Sequence, residues 1–187
     1  MQKTYRLMPI TDLDETKQLQ ILDIRNEDYI RRCMLTGNII TRCDHLSWIE
    51  RLKTDRSQIC FVIIDDDSNL WGSVNLKKID NEHKTAELGF YRTQKSSEKG
   101  IMMASLSILI NYSFDILGLE KIYSEVFEDN IKSINIHERL LFVKEGFLRS
   151  HIVKNKIRIG LHLFGLLKDD WQNGIIVLPT VKVAINV

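Results

Sequence analysis

Glu87-Leu88-Gly89-Phe90-Tyr91, the polar loop that ends Lys99-Gly100-Ile101-Met102, and the run from there to Phe142 decide the fold. The first five residues read as an apolar strand and 101–117 as an amphipathic helix, with Met102, Leu106, Leu109, Ile110 and Leu117 turned inward. Residues 121–127 form a second strand, and Asn130 opens another helix. This order places a glycine-bearing loop of free backbone N–H groups at a helix N-terminus, between two strand ends. Such a place suits a diphosphate, because the first helical N–H groups have no partner within the helix and the helix dipole favours negative charge there.

Working outward, the rest of the chain alternates helices and strands without repeats or low-complexity segments. Residues 5–9 read as a first strand, and 14–24 as a helix from the spacing of Leu19, Leu22 and Ile24. A second helical region follows Arg25-Asn26. Thr41-x-x-Asp44 has the form of a capping box, and His45, Trp48, Ile49 and Leu52 beyond it share one helical face. Two β-rich runs, 59–64 and 70–79, flank the turn cluster Asp65-Asp66-Asp67-Ser68-Asn69, and Asn81-Glu82-His83 turns the chain into 85–91. A right-handed crossover through the helix at 101–117 lays strand 121–127 parallel to an earlier one. After a helix over 131–140, runs 147–153 and 157–167 make a final hairpin around Lys154-Asn155-Lys156. The reading is α+β: a mixed, mostly antiparallel sheet flanked by helices.

Composition bounds the function. The 187 residues suffice for one substantial core. With 26 basic against 25 acidic residues there is no overall field to attract nucleic acid or anionic lipid. No apolar run approaches the roughly 20 residues of a membrane helix, and the N-terminus lacks the apolar core of a signal peptide, so a cytoplasmic protein is expected. Cys33, Cys43 and Cys60 form no CxxC pair, which points to core-filling or surface thiols and to no metal site.

The order of elements, the loop through Gly100, and Asn130-x-x-Ser133-Ile134-x-Ile136-His137-Glu138-Arg139-x-x-Phe142 resemble the GNAT superfamily of acetyl-CoA-dependent N-acetyltransferases over roughly residues 3–171. Within it, Ile24-Arg25-Asn26, His45-Leu46-Ser47-Trp48-Ile49-Glu50, residues 118–130, Glu145-Gly146-Phe147-Leu148-Arg149-Ser150-His151, and Leu163-Phe164-Gly165-Leu166-Leu167-Lys168 with Trp171 are similar to the PseH-like enzymes of pseudaminic acid biosynthesis. That resemblance implies acetyl-CoA bound where the strands splay. It also implies an acceptor that is the 4-amino group of a UDP-linked 4-amino-4,6-dideoxy-N-acetyl-altrosamine.

Residues of this chain take roles in that chemistry. The superfamily's loop usually carries Gln or Arg, then Gly, then Gly or Ala, where this chain has Ser97, Gly100 and Met102. Backbone N–H groups grip a pyrophosphate whatever side chains they carry, so only the glycine at the closest approach is hard to replace. Lys95 and Lys99 add positive charge, Glu98 opposes it, and Leu88, Phe90, Ile101, Met102 and Asn130 complete the expected cofactor contacts. Asn130 is expected both to cap its helix and to face the pantetheine arm.

Acetyl transfer from a thioester to an amine needs a neutral amine, a route for its proton, and stabilisation of the oxyanion and the departing thiolate. By the resemblance Glu87 stands where the superfamily often has its general base; by its alternation with Gly89 and Tyr91 it is equally an exposed strand residue. His137 stands where the superfamily commonly has a tyrosine acid, and an imidazolium with a pKa of about 6.5 is a proton donor suited to neutral pH. Its alternative is a buried structural histidine, with Tyr123 and Tyr91 as other donors. For the acceptor, Arg25, Asn26, His45 and Trp48 are the PseH-like residues, and a guanidinium fork with flat rings suits a diphosphate and a uracil. Lys77 is a further candidate. Trp48 also reads as core beside Ile49 and Leu52.

Two other functions share these features, a RimJ-like acetyltransferase of proteins or small amines and a non-catalytic CoA-binding module. The domain is placed at 1–171. The tail at 172–187 is β-prone and nearly uncharged, and is expected to add an edge strand, to pack in a homodimer, or to be disordered.

Overall fold

The computed structural model describes residues 4–95, 99–176 and 181–186. Its elements run β1 (Thr4–Pro9), a 3-10 turn, α1 (Glu15–Arg25), α2 (Asp28–Arg31), α3 (Arg42–Leu52), β2 (Ile59–Asp65), β3 (Leu70–Asp80), β4 (Thr85–Arg92), α4 (Ile101–Asn111), a π turn (Tyr112–Ile116), β5 (Lys121–Phe127), α5 (Ile131–Arg139), β6 (Val143–Lys154), β7 (Ile157–Leu167), α6 (Lys168–Asn173) and β8 (Lys182–Ile185). The strands make one sheet in the order β6-β7-β5-β4-β3-β2-β1-β8. It is antiparallel except for β4 with β5 and β1 with β8.

Local chemistry sets these boundaries. Asp14 caps α1 by accepting the Lys17 N–H at 2.9 Å. Thr41 Oγ1 accepts the Asp44 N–H at 3.1 Å, so the expected capping box opens α3. The Asp65–Asn69 cluster makes the expected turn around the Asp65 carboxylate, which accepts the N–H groups of Asp67 and Asn69 and the indole N–H of Trp71.

Both faces of the sheet are covered. One packs Phe61, Val74, Leu76, Leu88, Ile122 and Phe164 against α4 and α5, and the other packs Cys60, Val62 and Ile64 against Ile21 and Ile24 of α1, Ile30 of α2 and Ile49 of α3. Strand β2 is buried from Cys60 through Asp65, as a central strand covered on both faces must be. The face toward α1 and α2 carries Ser73, Asn75 and Lys77 of β3 in register with Tyr91, Gly89 and Glu87 of β4.

Two features differ from the sequence reading, and a third takes one of the alternatives it left open, an edge strand. The helix over 101–117 is α-helical only to Asn111 and closes in the π turn. Strand β6 begins at Val143 rather than 147. The chain beyond Trp171 returns to the sheet: Val183 and Ile185 pack on the core and β8 pairs parallel with β1, Thr4 opposite Lys182 through Leu7 opposite Ile185. A β-prone, nearly uncharged segment gains by burying alternate residues beside an open edge.

Candidate active site

Strands β4 and β5 pair only from Thr85–Lys121 to Glu87–Tyr123, although β4 continues to Arg92 and β5 to Phe127. Beyond that last rung they part, and backbone groups of β4 lose their ladder partners. Ser124 answers one of them by donating its hydroxyl to the Leu88 carbonyl at 3.3 Å. Leu88 is buried and Phe90 half-buried, so what β4 offers to the opening at these positions is chiefly backbone.

The N-terminus of α4 follows the same loop. Gly100 precedes it with φ +94°, a left-handed conformation that a side chain would strain, and no side chain among the described residues caps the helix. Ala104 makes the first helical bond, to the Gly100 carbonyl at 3.0 Å, so the N–H groups of Ile101, Met102 and Met103 precede the helical ladder. The side chains of Ile101 and Met102 are buried in the core, at 0% and 7% exposure, so a ligand meets only their backbone. Lys95 and Lys99 are exposed on either side of the loop, and Ser97 lies outside the described residues. Asn130 caps α5, its Oδ1 accepting the Ser133 N–H at 3.3 Å.

Glu87 sits on the last rung before the strands part, with its side chain 12% exposed and its carboxylate 2.8 Å from the Lys78 ammonium and 3.8 Å from that of Lys77. A bulge between Lys77 and Asp80 lets both lysines reach it. The carboxylate raises the Lys78 pKa. Tyr123, opposite Glu87, has its phenol pKa raised by burial, which keeps the hydroxyl protonated at neutral pH.

His137 corrects an expectation. Its ring is 1% exposed, stacked on Phe164 at 5.0 Å between centroids, edge-on to Phe142 at 4.9 Å and 5.6 Å from Phe90. Burial pushes its pKa down to about 4, so at neutral pH it is imidazole, not the proton-donating imidazolium that its ordinary value suggested. Nδ1 lies 2.8 Å from the Ser133 carbonyl, which can only accept, so Nδ1 carries the proton. Nε2 is then a bare acceptor, buried and without a partner among the described residues.

On the face toward α1 and α2 the structure separates the expected acceptor residues. The Arg25 guanidinium lies 5.9 Å from the Tyr91 ring centroid, and its Nη1 is buried with no hydrogen-bond partner among the described residues. Burial lowers its pKa, and burial pushes the Tyr91 phenol well above its ordinary range, leaving the guanidinium beside a neutral ring. Lys77 lies on this face against Glu87. Asn26, His45 and Trp48 are corrected to structural roles. Both polar ends of the Asn26 amide are used on the backbone of Ile40, at 2.9 Å each. His45 is buried with Nε2 2.9 Å from the Gln18 carbonyl, and Trp48 packs with it on the α1–α3 core.

The sequence reading missed Asn75, whose Oδ1 is buried and unpartnered on the same face. It also missed Lys154 at the β6–β7 tip, which donates to the carbonyls of Arg31, Arg32 and Met34 and holds that hairpin against the end of α2. Spacing could not have found either, though the pairing of Asn75 with a glycine across a hairpin was readable once the register was known. A cleft of about 510 Å³ at the opposite end of the sheet, lined among others by Pro9, Lys53, Ile79 and Tyr112, holds none of these residues.

Comparisons with known proteins agree with this geometry. The profile of the acetyltransferase (GNAT) domain family matches residues 5–143. The chain is 31% identical over 106 residues to the putative ribosomal N-acetyltransferase YdaF of Bacillus subtilis, covering 57% of this chain and 58% of that protein. It is 35% identical over 94 residues to the spermidine N(1)-acetyltransferase of Vibrio cholerae, covering 50% and 54%. The chain thus spans little more than half the length of these curated relatives. The crystal structure of spermidine N-acetyltransferase from Vibrio cholerae in complex with CoA and spermine superposes with a TM-score of 0.82 at 25% identity, over 92% of this chain and 99% of that one.

Proposed function

The chain belongs to the GNAT acetyltransferase family, and from that premise we propose that it is an acetyl-CoA-dependent N-acetyltransferase whose acceptor is the amino group of an anionic, nucleotide-linked amino sugar. The observation that carries the choice of acceptor is Arg25. A half-buried guanidinium whose buried Nη1 has no partner among the described residues, beside a neutral phenol, calls for an anion brought by the ligand. The diphosphate of a UDP-linked 4-amino-4,6-dideoxy sugar, as in pseudaminic acid biosynthesis, meets that demand. A polyamine such as spermidine, the substrate in the names of several relatives, presents only cations to it.

The same residues divide the work. The free N–H groups of Ile101, Met102 and Met103, with Gly100 allowing close approach, hold the cofactor diphosphate, and Lys95 and Lys99 add charge at its rim. Leu88 and Phe90 offer backbone to the pantetheine arm, and Asn130 stands at the start of α5 to meet it. Acetyl-CoA supplies an acetyl thioester. Glu87 takes the proton from the amine, directly or through water, at the rung where the strands part. His137, neutral, contributes an acceptor at Nε2 rather than a proton. Tyr123, on the last paired rung, offers a protonated phenol as a proton donor.

The test is CoA release with the UDP-linked amino sugar, the free amino sugar, spermidine and a peptide panel as parallel acceptors, with product masses confirmed. Turnover on the nucleotide-linked sugar at least about 100-fold above the others supports the reading. Preference for spermidine or a peptide overturns the acceptor but keeps the acetyltransferase. CoA binding without transfer to any of them identifies a non-catalytic module.

A further inference from the structure

We propose that Asn75 positions the acceptor amine, its side-chain oxygen accepting the N–H that must be oriented for attack. The inference rests on the reading of the protein as an amine acetyltransferase, but not on which amine it takes. Asn75 is paired across the β3–β4 ladder with Gly89, two residues beyond Glu87, where β5 has left β4. A Cβ on Gly89 would meet Asn75 Oδ1 at 2.4 Å, so the amide lies across β4 in the space the glycine leaves open. The oxygen is screened from solvent and accepts from no group among the described residues. Folding gains nothing from such an arrangement, since an apolar β-branched side chain would serve β3 better at that position. A ligand N–H supplies the missing partner.

The chemistry also favours an amide here. A carboxylate at this place would stabilise the ammonium form of the acceptor and hold back its lone pair. An uncharged oxygen takes one N–H of the neutral amine and leaves the lone pair free. The ionisable groups on this face are Glu87 with Lys77 and Lys78, Tyr123 opposite Glu87 with Glu125 beyond it on β5, and Tyr91 with Arg25 above it. Arg25 stands over the next rung, roughly 7 Å along the strand from Gly89. One face therefore offers an acceptor for the amine and, a short way along, a donor for an anion.

The experiment measures kcat and KM for whichever amine the wild type acetylates, in Asn75→Leu, Asn75→Ser and Asn75→Asp, together with acetyl-CoA affinity by calorimetry and thermal melting. For Asn75→Leu we expect kcat/KM to fall about 10- to 100-fold, with acetyl-CoA affinity within about twofold of wild type and the melting temperature not lowered. Asn75→Ser, which keeps an oxygen, recovers part of the loss. Asn75→Asp keeps acceptor binding, while its kcat falls at neutral pH and recovers as pH rises. Unchanged kcat/KM in Asn75→Leu, or a loss matched by an equal loss of acetyl-CoA affinity, overturns the assignment alone. A wild type that acetylates no amine overturns the acetyltransferase reading and this assignment with it.

Discussion

The two sides of the opening between β4 and β5 are built from different materials. On the cofactor side the groups on offer are mostly backbone: the first turn of α4, the unpaired edge of β4, and a glycine that keeps Cβ atoms away. On the side proposed for the acceptor they are side chains, Arg25, Asn75 and Glu87, two of which carry buried polar atoms without partners among the described residues. Recognition of a diphosphate by backbone, as proposed, asks little of side-chain identity, because any non-proline residue at positions 101–103 presents the same N–H group. Side-chain recognition tolerates no such exchange, and it is where the identity of the acceptor is written. His137 marks the boundary, a cofactor-side residue whose exchange alters proton chemistry but preserves a hydrogen-bonding group.

The largest effect expected concerns His137 and stability. Its pKa falls from about 6.5 in the unfolded chain to about 4 in the fold, so the unfolded state binds the extra proton between those values. Stability should be unaffected above pH 6.5 and drop by up to about 3 kcal/mol as pH falls toward 4. Chemical denaturation at pH 7 and 4.5 should show this loss in the wild type and a smaller one in His137→Phe; equal losses would mean the ring is not held neutral.

Arg25→Met should separate the two sides most sharply. We expect acceptor kcat/KM to fall about 30- to 100-fold with acetyl-CoA affinity unchanged, while the free protein becomes no less stable because a half-buried charge whose Nη1 lacks a partner among the described residues has gone. Steady-state kinetics and melting curves check both halves. Asn26→Ala should do the opposite, costing about 2 kcal/mol through the two abandoned Ile40 backbone groups, with kinetics altered only as far as the α2–α3 loop moves. A specific loss of acceptor affinity in Asn26→Ala, without loss of stability, would return that residue to the site.

On the cofactor side, Gly100→Ala puts a Cβ on a residue at φ +94° and should cost about 1 kcal/mol of stability and weaken acetyl-CoA binding several-fold, leaving acceptor KM alone. Lys99→Ala, exposed at the rim, should weaken acetyl-CoA binding by less than about threefold and only at low salt. Calorimetry at two ionic strengths measures it.

Much of the fold was legible because periodicity and turn chemistry report it locally. The Asp65–Asn69 turn, the Thr41 capping box and the β4–α4–β5 crossover all form as read. The candidate site was legible only in its backbone at Gly100, where one residue fixes the conformation. It was not legible where the answer depends on what a side chain meets across the fold. Asn26, His45 and Trp48 sit beside Arg25 in any spacing argument, yet each finds its partner within the α1–α3 layer and only Arg25 is left wanting one. The His137 pKa was equally hidden, since it depends on three phenylalanines from different elements.

The central claim, that Arg25 awaits an anion carried by the acceptor, is tested most directly by titrating UDP into the wild type and into Arg25→Met in the calorimeter, each saturated with CoA. The account predicts measurable UDP binding by the wild type and affinity at least about 30-fold weaker in the variant. No binding by the wild type, or equal affinity in both proteins, would contradict it.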